Sequence, residues 1–406
     1  MEWLPRYKVL GILCVTYMLC YLDRMVIASA IPFIARDLHL SHVTSGEVLS
    51  AFFVGYALMQ IPGGVLADRI GHRVILTGSI AWWSIMTALS GVASSVVQLF
   101  ITRGLFGLGE GPFPSAASKA LSIWFPSREL GRASGLLQTA ASIGAAIAPL
   151  IVTALVLKWG WRVVFYCISF PGAALALMVW TFVTNSPPLD PGGVEQKPSE
   201  RASPCEGELR QTLKNPCVLW CAICLFFANI VAWGLLSWLP TYLLQAREFS
   251  VELTGLFTAM TNLSGALGYA FGGYICDRYF SQSMRTPIVI GLLVSAIFTY
   301  LAAIAPTGEL AVACFVSVYF FSNIAFTAIF TLAIVIVPRR QAGSSFGIVN
   351  TAGQLSGVLA PAMVGYLLSA THDNFVVVLY SLMGLTFVAL YPATRIRQDA
   401  HAEAAR

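Results

Sequence analysis

Apolar runs of about 20 residues recur along the whole chain, separated by short segments that contain Gly, Pro or charged residues. A run of that length matches a hydrocarbon core of roughly 30 Å. Because backbone groups in lipid must be hydrogen-bonded within their own segment, each run predicts a helix. The pattern predicts twelve membrane spans, at residues 9–35, 47–67, 74–94, 98–122, 131–157, 162–184, 217–244, 253–275, 287–305, 310–337, 345–369 and 374–392.

One long polar segment, at residues 185–215, is rich in Pro, Gly, Ser and Glu and predicts a cytoplasmic linker. It divides the chain into an N-terminal bundle (1–184) and a C-terminal bundle (216–406), with six predicted spans in each. Each half also repeats one loop after its second span, GGVLADRIGHR in the first half and GGYICDRYFSQSMR in the second. The predicted fold class is therefore an all-α integral membrane protein of two pseudo-symmetric six-helix bundles, with a substrate site at their interface near the membrane midplane.

The composition supports a membrane protein and gives its orientation. Only 11% of the residues are charged and 57% are hydrophobic, whereas a soluble protein carries about 25% charged residues. Lys and Arg concentrate in the even-numbered loops, so the positive-inside rule places both termini in the cytoplasm. The nine cysteines lie in or beside apolar spans, apart from Cys205, and imply no disulfide framework. We expect no cofactor and no metal site. The histidines lie in loops or the tail, and the clustered cysteines of span 7 are interpreted as small apolar residues of a membrane helix.

Four charged residues lie deep inside the predicted spans: Asp23, Arg24, Arg103 and Glu110. Each costs about 2.5–3.5 kcal/mol at the bilayer centre, so such residues are functional candidates. Arg103 and Glu110 share one helix face, two turns apart, whereas Asp23 and Arg24 point about 100° apart and need separate partners. We expect Asp23 to lie toward Arg103 and Arg24 to face a cavity.

Two interpretations of these charges stay open at this stage. They are either structural ion pairs that join spans 1 and 4, or groups that couple proton binding to anion binding. With both carboxyl groups ionised the cluster is neutral, and with both protonated it carries a charge of +2 that attracts an anion. Burial favours the neutral form of a carboxyl group and a nearby guanidinium favours the charged form, so a moving arginine would change proton affinity.

The sequence resembles the major facilitator superfamily in its twelve spans and in the loop Gly64-x-Leu-Ala-Asp68-Arg69-x-Gly71-His-Arg73, with a degenerate copy at residues 273–278. YLDR in span 1, GYALMQIPGGVLADRIG in span 2 and RGLFGLGEGPFPSAASKALSIWFP in span 4 are similar to the anion:cation symporter branch. The resemblance implies a conformational gate on the cytoplasmic side, formed by Gly64, Asp68, Arg69, Gly71, Arg73, Asp277 and Arg278.

The same resemblance implies roles for the buried charges. Asp23 and Glu110 match the proton sites of the galactonate-type symporters, and Arg24 matches the arginine that meets the substrate carboxylate. We expect Arg103 to be the partner that switches between ion pairs.

Further polar side chains in the spans are candidates for substrate binding: Tyr56, Gln138, Asn350 and Gln354. Each is equally compatible with a hydrogen bond between helices. The organophosphate:phosphate exchangers of the superfamily that this sequence resembles pair an Arg on span 1 with another on span 7. No Lys or Arg lies between Lys214 and Arg247 here, so the resemblance favours a monocarboxylate over a phosphate ester.

The predicted function is proton-coupled symport of a small organic anion across a bacterial inner membrane. A sugar acid such as galactonate or a hexuronate is the first substrate expectation, by resemblance, and an aromatic acid is the second. An anion exchanger or uniporter, a membrane enzyme and a nontransporting sensor are the alternatives. We expect a monomer in the lipid bilayer that is not an enzyme, with the organic anion and protons as its partners and no nucleic acid.

Overall fold

The structure is a computed structural model that describes residues 5–125, 127–185, 211–280, 283–337 and 341–396. Every regular element in these ranges is a helix, and a π-helical turn at Tyr242–Ala246 extends α8. The α-helices are α1 (Pro5–Asp37), α2 (His42–Ile70), α3 (His72–Val92), α4 (Val96–Glu110), α5 (Phe113–Trp124), α6 (Ser127–Trp159), α7 (Trp161–Phe182), α8 (Pro216–Thr241), α9 (Val251–Tyr279), α10 (Arg285–Ile304), α11 (Gly308–Val335), α12 (Ala342–Ala370) and α13 (Phe375–Arg395).

These helices account for the twelve predicted spans. By length and composition, nine helices in the described ranges are suited to crossing a membrane. The other three predicted spans correspond to α2, to α9 and to the successive helices α4 and α5. The chain breaks between α4 and α5 at Gly111 and Pro112, because proline lacks an N–H donor and its ring displaces the preceding turn.

The chain forms two compact units, residues 1–200 and 201–406, and both pack their helices in one order. In the first unit, α1 packs on α6, α2 on α4, and α3 on α7. In the second unit, α8 packs on α12, α9 on α11, and α10 on α13. In each unit the first span therefore packs on the fifth, the second on the fourth and the third on the sixth. Most of the predicted linker, residues 186–210, lies outside the described residues.

Glycines bring α2 and α4 into close contact in the first unit. A Cβ atom on Gly55 would overlap the carbonyl oxygen of Gly104, and one on Gly107 would overlap that of Phe52. Small residues allow this approach of two backbones, which gives membrane helices much of their packing energy. The contact fixes the rotation of α4, and with it the direction of the charged side chains that α4 carries.

Candidate functional site

The four predicted intramembrane charges all lie in the first unit and are all buried. The exposed fractions are 1% for Asp23, 4% for Arg24, and 0% for both Arg103 and Glu110. Asp23 and Arg24 lie near the middle of α1, whereas Arg103 and Glu110 lie on α4. We call these four residues the charge cluster.

Arg24 and Glu110 form a buried ion pair. The guanidinium donates to one carboxylate oxygen, Oε1, from Nε at 3.0 Å and also from Nη2. Its Nη1 and the Glu110 Oε2 have no hydrogen-bond partner. The pairing differs from the expectation that Arg24 faces a cavity, because the contact between α2 and α4 turns the Glu110 face of α4 toward α1.

Aromatic rings enclose the Arg24 guanidinium. Its Cζ atom lies 4.6 Å from the ring centroid of Tyr21, and 4.8 Å from those of Phe52 and Tyr56. Such contacts stabilise a desolvated cation by about 2 kcal/mol or more. Tyr56 is thus placed beside the charge cluster, and its role in substrate binding stays a prediction.

Asp23 has a different partner, as the helical geometry predicted. Its Oδ2 accepts a hydrogen bond of 2.5 Å from Thr87 Oγ1 on α3, and its Oδ1 has none. Thr87 is fully buried. Thr87 could not be identified from the sequence, because threonines are common in apolar helices and no motif distinguishes this one.

Arg103 lies within electrostatic reach of both carboxylates but hydrogen-bonds to neither. Its guanidinium lies over the rings of Phe106, at 4.3 Å, and Phe165, at 5.6 Å. A fully buried guanidinium with three free nitrogens is costly unless it gains a partner. The expected closeness of Asp23 and Arg103 is therefore present as a charge interaction and not as a formed hydrogen bond.

The remaining predicted substrate residues lie on α6 and α12. Gln138 is exposed on α6. Asn350 and Gln354 are partly buried on α12, in the second unit, and the Gln354 Oε1 has no hydrogen-bond partner. These three residues stay predictions.

The first predicted gate loop forms the junction between α2 and α3. Gly71 adopts a φ of +92°, a region that favours glycine, and a Cβ there would meet the side chain of Asn185. Arg73 Nε donates to the carbonyl of Trp180 at 2.8 Å, and its guanidinium stacks on that ring at 4.3 Å. Because Trp180 lies in the last turn of α7, its carbonyl has no partner within the helix, so Arg73 ties the start of α3 to the end of α7.

Other gate residues lie around this junction or in its second copy. A Cβ atom on Gly64 would lie 3.6 Å from the side chain of Ser115 on α5, an ordinary contact distance. Arg69 and Arg278 are exposed. The side chains of Asp68 and Asp277 are outside the described part of the chain.

Comparison with known proteins gives the family. Residues 13–361 match the model of the Major Facilitator Superfamily. A protein of Cupriavidus necator described as a probable sulfoacetate transporter is 30% identical over 90% of this chain and 88% of its own. A hexuronate transporter of Bacillus subtilis is 29% identical, covering 86% of this chain and 85% of its own. A probable L-galactonate transporter of Escherichia coli is 31% identical, covering 87% and 81%.

Solved structures show the same fold. A bacterial homologue of the human lysosomal transporter Spinster, in an inward-facing and occupied conformation, superposes with a TM-score of 0.82 at 21% identity, covering 96% of this chain and 95% of its own. The relatives are transporters and not enzymes. The chain therefore belongs to the major facilitator superfamily and, within it, to the organic anion transporters of the anion:cation symporter type.

Proposed function

We propose that this chain is a proton-coupled symporter of small organic anions that works by alternating access. The observation that carries the proposal is the buried ion pair of Arg24 and Glu110, next to a second buried carboxyl group at Asp23. Proton coupling requires that the group which binds the proton lies next to the cation which binds the substrate anion. Arg24 meets this requirement, because Glu110 and the substrate anion would share it as their positive partner.

The coupling follows from the charge balance around Arg24. With both carboxyl groups ionised, the charge cluster is neutral. Protonation of Glu110 removes the charge that balances Arg24, and a stranded charge of this kind costs about 3–5 kcal/mol in a buried pair. An anionic substrate that binds Arg24 restores the balance. Proton binding and anion binding therefore favour each other, and thermodynamic linkage makes the effect reciprocal.

Asp23 and Arg103 supply the second half of the proposed cycle. Arg103 lies within electrostatic reach of both Asp23 and Glu110. It hydrogen-bonds to neither, so a small movement of its guanidinium changes which carboxylate it favours. We assign Asp23 and Glu110 as the proton sites and Arg103 as the partner that switches between them.

A sugar acid is the proposed substrate. Relatives that match most of this chain are a hexuronate transporter and a probable L-galactonate transporter. The Nη1 atom of Arg24 has no hydrogen-bond partner and is available to a single carboxylate. The ring of Tyr56, which carries a hydroxyl group, lies beside the Arg24 guanidinium. We assign Arg24, Tyr56 and Gln138 to the carboxylate end, and Asn350 and Gln354, one helical turn apart, to the hydroxyl groups.

The setting we propose is a bacterial inner membrane, with both termini in the cytoplasm and a single chain as the working unit. The loop of Gly64, Asp68, Arg69, Gly71 and Arg73, and its copy at Asp277 and Arg278, is the proposed cytoplasmic gate. The contact of Arg73 with the end of α7 supports a role in holding α3 and α7 together as the protein changes conformation.

Uptake into proteoliposomes tests the proposal, with labelled glucuronate, galactonate and sulfoacetate as probes. We expect an inward proton gradient to drive accumulation of at least one probe by the wild type. Asp23→Asn and Glu110→Gln should abolish this accumulation, while exchange of internal for external probe persists in Glu110→Gln, since glutamine resembles the protonated acid.

Asp37→Asn is the matched control. Asp37 is an aspartate on the same helix, but its carboxylate is 46% exposed and pairs with Arg162 at 2.5 Å near the surface. Surface pairs contribute about 0–1 kcal/mol, so coupled uptake should survive. If both cluster variants keep gradient-driven accumulation, the assignment of proton coupling to Asp23 and Glu110 is wrong. Wild-type uptake that ignores the proton gradient would instead indicate an exchanger or uniporter. Binding of a probe without uptake would indicate a sensor.

A further inference from the structure

The hydrogen bond from Thr87 is unusual among the buried threonines of this protein. A threonine inside a helix ordinarily donates to the carbonyl of the residue four positions earlier. Buried threonines of the described helices that do so are Thr16 (2.7 Å), Thr258 (2.7 Å), Thr261 (2.8 Å), Thr299 (2.8 Å) and Thr386 (3.1 Å). Thr87 instead donates across helices to the carboxyl group of Asp23.

A hydroxyl group has one proton to donate, so Thr87 can donate either to Asp23 or to its own helix, but not fully to both. A hydrogen bond to an ionised carboxylate is about twice as strong as one between neutral groups. The Thr87 hydroxyl therefore stabilises Asp23 in its charged form more than in its protonated form. When Asp23 is protonated, the hydroxyl has a second acceptor available, the carbonyl of Trp83 four residues earlier on α3.

Few other groups act on Asp23. From α4, the charged neighbours are Arg103 and Glu110. From its own helix, Cys20 lies in electrostatic contact with it. Among the described residues, α6 and α7, which also pack on α1, place no charged side chain among these neighbours. Thr87 is thus the hydrogen-bond donor that α3 contributes to this carboxyl group.

We infer that Thr87 is a positioning residue that sets the proton affinity of Asp23 by donating its hydroxyl proton to the ionised carboxylate. The inference rests on the proposed function, in which Asp23 carries a proton. It adds a third helix, α3, to the coupling machinery of α1 and α4. It also gives a reason for a hydroxyl at this position that packing alone does not require.

Infrared difference spectroscopy on the purified full-length protein tests the inference without any substrate. The carbonyl band of protonated Asp23, assigned by its absence in Asp23→Asn, is followed as a function of pH. We expect the midpoint of Thr87→Val to lie roughly one pH unit or more above that of the wild type, since the charged form has lost a charge-assisted hydrogen bond. Thr87→Ser keeps the hydroxyl and should restore the midpoint.

Thr299→Val is the matched control. Thr299 is a buried threonine in α10, the third span of the other half, and it donates to Ser295 within its own helix. Its packing partner α13 contains no Asp or Glu. This variant should leave the Asp23 midpoint unchanged. The same variants are compared for thermal unfolding, so that a general loss of structure is detected separately.

Two results would overturn the inference alone: a Thr87→Val midpoint equal to that of the wild type, or a Thr87→Ser midpoint that follows Thr87→Val. Uptake of labelled glucuronate, galactonate and sulfoacetate is measured in parallel against pH. If wild-type uptake ignores the proton gradient while the infrared midpoint still shifts in Thr87→Val, proton coupling is wrong and the Thr87 hydrogen bond is right. An Asp23 carboxyl that never titrates while the protein is folded would overturn both.

Discussion

Replacing Arg24 with Met tests whether the charge cluster is held together by the Arg24–Glu110 pair. Glu110 is 0% exposed, its Oε1 accepts from Arg24, and its Oε2 has no hydrogen-bond partner. The variant strands a buried carboxylate, which costs about 3–5 kcal/mol when the pair is broken from one side. With an unfolding entropy of about 2.1 cal/mol/K per residue, that corresponds to a fall of about 4–6 °C in the unfolding midpoint of this 406-residue chain.

The double variant Arg24→Met/Glu110→Gln separates the lost charge balance from the lost packing. With both charges gone, only the contacts with the rings of Tyr21, Phe52 and Tyr56 are missing. We therefore expect the double variant to unfold at a higher temperature than Arg24→Met alone.

Thermal unfolding in detergent, measured for the wild type, both single variants and the double variant, gives the coupling energy of the pair. Residues in direct contact typically show 0.5–3 kcal/mol, to be compared with the cost of each single change. The reasoning is refuted if the two single effects simply add in the double variant. It is also refuted if Arg24→Met unfolds at the wild-type temperature at neutral pH.

Two further predictions concern packing and the gate. Gly107→Ala places a Cβ against the backbone of Phe52 and should destabilise the protein by about 1–3 kcal/mol; Gly78→Ala, where a Cβ meets no atom within 4 Å, should be neutral or stabilising in thermal unfolding. Arg73→Lys keeps the charge but loses the planar stacking on Trp180, so initial uptake rates should fall about fivefold for a loss of ~1 kcal/mol. Equal unfolding of the two glycine variants, or wild-type uptake by Arg73→Lys, would contradict these expectations.

Much of the architecture was predictable from local properties of the chain. A span is an apolar run whose backbone must be satisfied internally, so each helix is specified by about 20 consecutive residues. The break at Pro112 is local for the same kind of reason, since the missing donor belongs to that residue. The internal repeat was visible in the two copies of the loop after the second span, and the packing order repeats in the two units.

The four buried charges were likewise evident, because a charged side chain within an apolar run is conspicuous and costly. Helical geometry also predicted that Asp23 and Arg24 take separate partners, since adjacent side chains point about 100° apart. Which partner each one takes was beyond the sequence. The pairing of Arg24 with Glu110 depends on how α4 is rotated toward α1, and that rotation follows from the glycine contacts between α4 and α2.

The partner of Thr87 was also not predictable from the sequence. The role of Thr87 depends on how close α3 lies to α1. Thr87 and Asp23 are 64 residues apart in the chain. Periodicity places a side chain on a face of its own helix, but it carries no information about which helix lies opposite that face. Apolar runs, turn residues and unusual charges are properties of short segments and were predictable. Ion-pair partners and hydrogen-bond donors are properties of helix packing, and only the folded bundle decides them.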